Sequence, residues 1–325
     1  MSARTAPADR PPKPGGRVDA VDCARGVALI GMALYHLSWD LADYRLVSPT
    51  LPFSPPMRLF SHAVACAFLG LVGVSLALAH RDRLNLPAFW RRLAVVGGTA
   101  ALVTAASLVL APGEGIWFGI LHCIAVASLL ALPFIEARAF ASLLAGAIAI
   151  AIPFFVQSTL FDPPALTWLG LGVALPNTLD WRPLLPWGGV VFLGLGLARL
   201  PGALARLTSP TRWRATSAPA RTLCFAGRHS LPIYLVHQPI LMGLVALVAQ
   251  LGVVPAAPPD YSAFLAACER TCVAGGRAAD ECESSCQCVA DAIERSGEAE
   301  RLGGDTLDAA RKAELKRMAE ACMTR

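Results

Sequence analysis

Apolar residues along this chain form long runs, and polar residues are concentrated between those runs. Seven runs approach the roughly 20 residues that a helix needs to cross about 30 Å of hydrocarbon. They cover approximately 20–41, 59–79, 92–111, 116–135, 138–156, 184–200 and 229–252. The pattern predicts an all-α protein, a polytopic membrane helix bundle of about seven spans.

Other stretches do not fit the pattern of membrane spans. Residues 1–17 are rich in Pro, Gly, Arg and Ala, which predicts a disordered basic arm. The apolar run that follows has no clear signal-peptide cleavage site, so we expect it to be retained. Residues 165–176 are apolar but short, and a re-entrant or interfacial piece is expected there. The sequence thus predicts an arm at 1–17, a membrane domain at 18–252 and a tail at 260–325.

Composition supports the membrane interpretation. Only 16% of the residues are charged and 55% are hydrophobic, whereas soluble domains have about 25% charged residues. The charges are also divided unevenly. Residues 1–259 have 19 Arg or Lys against 10 Asp or Glu, and residues 260–325 have 9 against 13. The basic excess belongs to the membrane part, and no nucleic-acid partner is expected.

Arginine-rich loops orient the predicted bundle. The loop after the second run and the segment before the seventh contain Arg81, Arg83, Arg91, Arg92, Arg199, Arg206, Arg212, Arg214, Arg221 and Arg228. With seven spans, both segments lie on the same side as the basic N-terminal arm. Because positively charged loops stay in the cytoplasm, we expect a cytoplasmic N-terminus and an extracytoplasmic tail.

The tail contains six of the ten cysteines. Two pairs have four-residue spacing, which places each pair on one helix face, and a Gly-Gly between them favours a helical hairpin. The simplest pairing has two bridges across the hairpin and one that closes a later helix near 306–321: Cys268–Cys286, Cys272–Cys282 and Cys288–Cys322. Six cysteines allow fifteen connectivities, and zinc is an alternative. Disulfides are favoured over metal because the tail has no histidine and is predicted to be exported. The remaining Cys23, Cys66, Cys123 and Cys224 are interpreted as small hydrophobic residues.

The first apolar run contains four ionisable residues, Asp22, Arg25, His36 and Asp40. Charges inside a membrane segment are costly, which indicates a functional site. His36 and Asp40 are one helical turn apart, a spacing that lets a carboxylate orient an imidazole for general-base catalysis. We predict that His36 and Asp40 are catalytic and that Asp22, Arg25 and Trp39 of the same run bind substrate. The alternative is an interfacial Asp22–Arg25 pair and a histidine satisfied inside the bundle.

Polar residues in two further runs are candidates for substrate binding. His122 lies in an otherwise apolar run, and its alternative role is a hydrogen bond to a neighbouring helix. In the seventh run, Arg228 is followed by Tyr234, His237 and Gln238. The alternative for Arg228 is that it only contributes to the positive charge of the cytoplasmic side. The adjacent His237 and Gln238 need partners because apolar residues surround them.

Four blocks of sequence, in this order, resemble one known family. The blocks at 17–41, 68–79, 119–125 and 227–241 are similar to the bacterial branch of the heparan-alpha-glucosaminide N-acetyltransferase catalytic-domain family. The spacing of Arg25 and His36 also resembles the signature of the membrane-bound acyltransferase family 3. The likeness covers about residues 17–252, and the tail matches nothing associated with the family.

The resemblance implies transfer of an acyl group, usually acetyl, from cytoplasmic acyl-CoA to a sugar on the outer side of a bacterial inner (plasma) membrane. Acetyl-CoA is then a co-substrate, and no bound cofactor or metal is expected. A cell-envelope glycan is the expected acceptor, the lipid bilayer is the surrounding partner, and a homodimer is left open. Two other hypotheses compete: a proton-coupled transporter that uses the intramembrane His and Asp groups, and a scaffold that displays the tail.

Overall fold

The computed structural model describes residues 17–209, 211–252, 261–296, 316–317 and 319–322. Within those ranges it has eleven α-helices joined by short 3₁₀ turns and loops. The helices are α1 (Asp19–Asp43), α2 (Pro55–Ala79), α3 (Leu86–Leu110), α4 (Ile120–Leu130), α5 (Ala139–Phe155), α6 (Leu184–Ala198), α7 (Ala203–Thr208), α8 (Ala218–Arg228), α9 (Ser230–Gln250), α10 (Ser262–Ala274) and α11 (Ala279–Ser296). The all-helical prediction is confirmed.

Two predicted segments fall largely outside the described residues. Of the arm predicted at 1–17, the structure describes only Arg17. Of the helix predicted near 306–321, it describes only residues 316–317 and 319–321, which are helical. The apolar segment 165–176 contains no α-helix. It has a single 3₁₀ turn, Thr167–Leu169, which ends at Gly170 with a positive φ of 83°.

Each predicted membrane run coincides with a helix, but the lengths differ. Among the described residues, α1, α2, α3 and α9 are long and apolar enough to cross a membrane. The helices α4, α5 and α6 are apolar but have only 11, 17 and 15 residues. The α4 run was predicted at 116–135 and is shorter because Pro133 lies in a separate 3₁₀ turn after it. The count of seven spans therefore stays a prediction.

Inter-residue contacts divide the described chain into two compact units. The first contains the described residues up to His36 together with Pro55–Leu241. The second contains Leu37–Ser54 and the described residues from Met242 onward. The long helices α1 and α9 contribute residues to both units.

Helix α6 is the centre of the first unit and packs against α2, α4 and α5. Its glycines allow close approach: a Cβ on Gly194 would collide with the backbone of Gly70, and a Cβ on Gly73 with the backbone of Val191. Small residues at helix contacts are typical of membrane bundles, where close backbone packing replaces the hydrophobic effect. Leu69, Leu76 and Leu195 fill the core beside this contact.

Large apolar side chains are exposed on the outside of the helices. Val109, Leu110, Phe154 and Phe155 are 78–85% exposed. Such exposure is unfavourable in water and is expected where lipid surrounds the protein. Together with the membrane-length helices, it identifies an integral membrane protein.

A disulfide between Cys23 and Cys224 joins α1 to α8. The prediction that these two cysteines are free was wrong, whereas Cys66 and Cys123 are free thiols. The helices approach closely because glycine replaces a side chain on both: a Cβ on Gly26 would meet the carbonyl of Leu223, and one on Gly227 the carbonyl of Asp22. This contact brings residues 201 positions apart into bonding distance.

The second unit contains the cysteine-rich tail. Its α10 and α11 form a hairpin with disulfides Cys268–Cys286 and Cys272–Cys282, and a third disulfide joins Cys288 to Cys322. These are the three pairs predicted from the spacing. Val289 and Ile293 pack beside the third bridge in a small apolar cluster, so disulfides supplement a core too small to fold alone.

Candidate active site

A pocket of about 470 Å³ opens near the start of α1. We call it the arginine pocket because five arginines and two aspartates line it: Arg17, Arg25, Arg81, Arg92, Arg228, Asp22 and Asp82. The remaining lining residues are Val18, Val21, Ser75, Leu78, Ala79 and Thr208. The excess of guanidinium groups over carboxylates makes the pocket suited to an anionic ligand.

Asp22 organises the charges of the arginine pocket. One oxygen of its buried carboxylate accepts a hydrogen bond from Arg25 at 3.1 Å, and the other accepts one from Arg228 at 3.0 Å. Arg228 also donates to Asp19 at 2.8 Å, and Arg25 donates to the Ser75 hydroxyl of α2. The carboxylate thereby fixes two arginines from α1 and α8 that are distant in sequence.

Arg92 is the contrasting arginine of the pocket. Its side chain lies near the start of α3, and no carboxylate among the described residues pairs with it. Just beyond the end of α2, the His80 ring accepts a hydrogen bond from the Asn85 N–H at 3.1 Å. Burial, followed by the positive charge of Arg92, lowers the pKa of His80. Arg92 thus presents an uncompensated charge that a phosphate is suited to neutralise.

Two histidines meet farther along α1. The rings of His36 and His237 have centroids 5.0 Å apart and meet edge to face at 67°. We call them the histidine pair. The His237 ring also lies 5.6 Å from the ring of Tyr234, one turn earlier in α9. At ~1.5 Å per residue, His36 is about 16 Å along the helix axis from Arg25.

Arg182, directly before α6, supplies a positive charge near the histidine pair. Its guanidinium donates to the Ser61 hydroxyl at 2.6 Å and lies 5.0 Å from the centre of the Trp187 ring. It is close enough to His36 to interact with it electrostatically. No carboxylate among the described residues forms an ion pair with Arg182. A cation held this way in a low-dielectric site stabilises negative charge that develops beside it.

One family model matches residues 17–239, and its description is heparan-alpha-glucosaminide N-acetyltransferase, catalytic. The chain belongs to this family. No curated protein and no solved structure matches it. The matched region contains the arginine pocket and the histidine pair and leaves out the tail. With the membrane-length helices, membership in the family indicates a membrane acetyltransferase.

The predicted site residues of this acetyltransferase-family protein fall into separate groups. Asp22, Arg25 and Arg228 meet in the arginine pocket. His36, Tyr234 and His237 meet at the histidine pair, and Gln238 follows His237 in α9. The catalytic and binding roles of all these residues stay predictions.

Three other predicted residues are placed differently. Trp39 and Asp40 belong to the second unit, where Trp39 packs on Phe53 with ring centroids 4.8 Å apart and Asp40 is 3% exposed. His122 accepts a hydrogen bond from the N–H of Gly119, and its Nε2 lies 3.1 Å from the Thr104 hydroxyl. His122 therefore caps α4 and ties it to α3, the structural alternative weighed from the sequence.

Four residues near the site were not predicted from the sequence to belong to it: Asp19, Ser75, Arg92 and Arg182. Arg92 was interpreted only as a cytoplasmic charge, because it begins a predicted span. Arg182 was not singled out, although a lone arginine between Trp181 and Pro183 at the start of an apolar run was a usable signal. Ser75 has no distinguishing pattern in an apolar helix, and only the fold places it beside Arg25.

Proposed function

We propose that the protein transfers an acyl group, acetyl in the simplest case, from acyl-CoA in the arginine pocket to a sugar acceptor at the histidine pair. The observation that carries the proposal is the placement of both sites along one helix. Arg25 of the pocket and His36 of the pair belong to α1, and the long pantetheine arm of CoA is suited to connect them.

The arginine pocket has the chemistry to hold the phosphates of CoA. Guanidinium groups form paired, charge-assisted hydrogen bonds to phosphate oxygens. Arg25 and Arg228 are already oriented by Asp22, so little conformational entropy is lost when a ligand binds. Arg92 adds a charge with no carboxylate partner among the described residues.

His36 is the group at which we propose that the thioester is opened. An imidazole serves such a reaction by accepting the acyl group transiently or by taking a proton from the acceptor. Substituting His36→Ala should abolish transfer without changing protein yield. The measurement is the release of CoA thiol from acetyl-CoA by protein in liposomes, with glucosamine as an amine probe and glucose as a hydroxyl probe.

The same measurement separates transfer from transport. A transporter would release no CoA thiol with either probe, and retained release by His36→Ala would contradict the assignment of His36. His229→Ala is the matched control, because the His229 ring is exposed and its contacts with the described residues are with Phe225, the carbonyl and ring of the preceding turn. We expect that variant to release CoA at the wild-type rate.

We further propose a bacterial inner membrane location, with the arginine pocket facing the cytoplasm and the tail outside. In that orientation the three tail disulfides face an oxidising compartment, whereas the Cys23–Cys224 disulfide lies on the cytoplasmic side. Treatment of intact cells with a membrane-impermeant reductant before alkylation, read by mass, should label the tail cysteines and leave Cys23 and Cys224 unlabelled until a permeant reductant is added. Labelling of Cys23 and Cys224, but not of the tail cysteines, after the impermeant reductant would reverse the orientation.

A further inference from the structure

We propose that His237 is a catalytic residue that takes the proton from the acceptor, while His36 carries the acyl group. This division of roles rests on the proposed function above. In this scheme His36 acts as the nucleophile and His237 as the general base of a two-step reaction. Three observations support it: a defined hydrogen bond on one side of the His237 ring, an unpartnered nitrogen on the other, and the position of His36.

The first observation concerns the tautomer of His237. Its Nδ1 lies 2.6 Å from the carbonyl oxygen of Tyr234. A carbonyl oxygen only accepts, so Nδ1 must carry the proton and donate it. In the neutral ring, Nε2 then has the free lone pair. A hydrogen bond of this kind also holds the ring orientation of a catalytic histidine.

The second observation concerns Nε2 itself. This nitrogen is buried and has no hydrogen-bond partner among the described residues. An unsatisfied buried acceptor costs about 1–3 kcal/mol, so a donor that reaches it is favoured. The N–H or O–H of an acceptor sugar is such a donor. The geometry therefore points to Nε2 of His237 as a general base whose hydrogen-bond donor is the acceptor substrate.

The third observation is the environment of His36. Its ring is in edge contact with His237 and has no hydrogen bond to any described residue. The nearby Arg182 has no carboxylate partner among those residues either, so its charge is available to a developing oxyanion. A nucleophile, a base and an oxyanion-stabilising charge are therefore present in one site.

The reaction balances in two steps. In the first, a His36 nitrogen attacks the thioester carbon, the C–S bond breaks, and CoA leaves as the thiol with the proton released by the His36 ring. In the second, the acceptor nitrogen or oxygen attacks the acyl carbon while its proton moves to Nε2 of His237. The bond between the acyl carbon and His36 breaks, its electron pair returns to the imidazole, and the proton on His237 passes to the freed His36 ring, so that both rings are neutral again.

The test separates the two steps with His237→Asn and radiolabelled acetyl-CoA. The Asn amide retains a donor near the Nδ1 position and removes the Nε2 base. We expect labelled protein to form without an acceptor, and transfer to glucosamine to fall about 10²–10⁴-fold, the usual contribution of a general base. His229→Asn, which alters the same kind of ring-to-carbonyl contact at an exposed site, should change neither step.

The outcomes distinguish this inference from the proposed function. Wild-type transfer by His237→Asn, with His36→Ala inactive, overturns the role of His237 and leaves the proposed function intact. Loss of protein labelling in His237→Asn also overturns the division of roles, provided that its size-exclusion profile matches the wild type. If that variant does not fold, His237→Gln takes its place. Absence of CoA release by the wild-type protein removes the proposed function itself.

Discussion

The arginine pocket and the histidine pair differ in whether their polar groups have partners within the protein. In the pocket, the Asp22 carboxylate is bound by two arginines, and Ser75 accepts from one of them. At the histidine pair, Nε2 of His237 has no hydrogen-bond partner among the described residues, and Arg182 forms no ion pair with a described carboxylate. Pairing orients Arg25 and Arg228 and stabilises the fold, whereas the unpaired groups at the histidine pair, like Arg92 in the pocket, are available to substrate. The two sites should therefore respond differently to substitution.

The largest effect is expected from Asp22→Asn. The change keeps the shape of the side chain but leaves Arg25 and Arg228 without the carboxylate that both bind. Removing one partner of a buried ion pair costs about 3–5 kcal/mol, and we expect the lower end because Arg228 is 34% exposed. Thermal unfolding in detergent measures the loss. Asp82→Asn is the control, since Asp82 is 84% exposed in its pair with Arg81 and should cost less than about 1 kcal/mol.

A smaller effect, on rate rather than stability, is expected from Arg182→Gln. No ion pair is lost, so the unfolding midpoint should change less than in Asp22→Asn. Loss of a charge that stabilises an oxyanion lowers turnover by about 10²-fold. Kinetics with varied acetyl-CoA should show a lower kcat with an unchanged KM for acetyl-CoA. A raised KM with unchanged kcat would instead assign Arg182 to donor binding. The control Ser61→Ala removes the hydroxyl that Arg182 binds and tests whether loss of that hydrogen bond alone lowers kcat.

Arg92→Gln should affect the donor and not the chemical step. We expect the KM for acetyl-CoA to rise by up to about fivefold, because partly exposed ion pairs contribute at most about 1 kcal/mol. Salt should weaken donor binding in the wild type, since the Debye length is about 10 Å at 0.1 M ionic strength. The matched control is Arg83→Gln, an exposed arginine in the loop before α3 that does not line the pocket. Equal KM changes in both variants would contradict a specific role for Arg92.

The parts of this architecture that depend on local spacing were predictable. Helix α1 was predicted at 20–41 and extends over Asp19–Asp43, and the four-residue spacing of cysteines gave the bridges of the tail hairpin. The contacts of Arg182 were not predictable, because Ser61 lies 121 positions away. Such contacts depend on how helices pack, and in a bundle the packing depends on glycine contacts that hydropathy does not encode.

The smallest predicted effect is a pH dependence at the edge of the arginine pocket. Burial lowers the pKa of His80 in the folded protein, whereas in the unfolded chain it should titrate near about 6.5. Below that pH the unfolded state binds more protons than the folded state, so stability should fall as pH decreases through that value. Thermal midpoints between pH 8 and 5 measure the effect. His80→Gln should flatten it, and Arg92→Gln should reduce it slightly, because Arg92 is the second cause of the shift. If the thermal midpoint of His80→Gln depends on pH as the wild type's does, another group causes the dependence and His80 does not contribute to it.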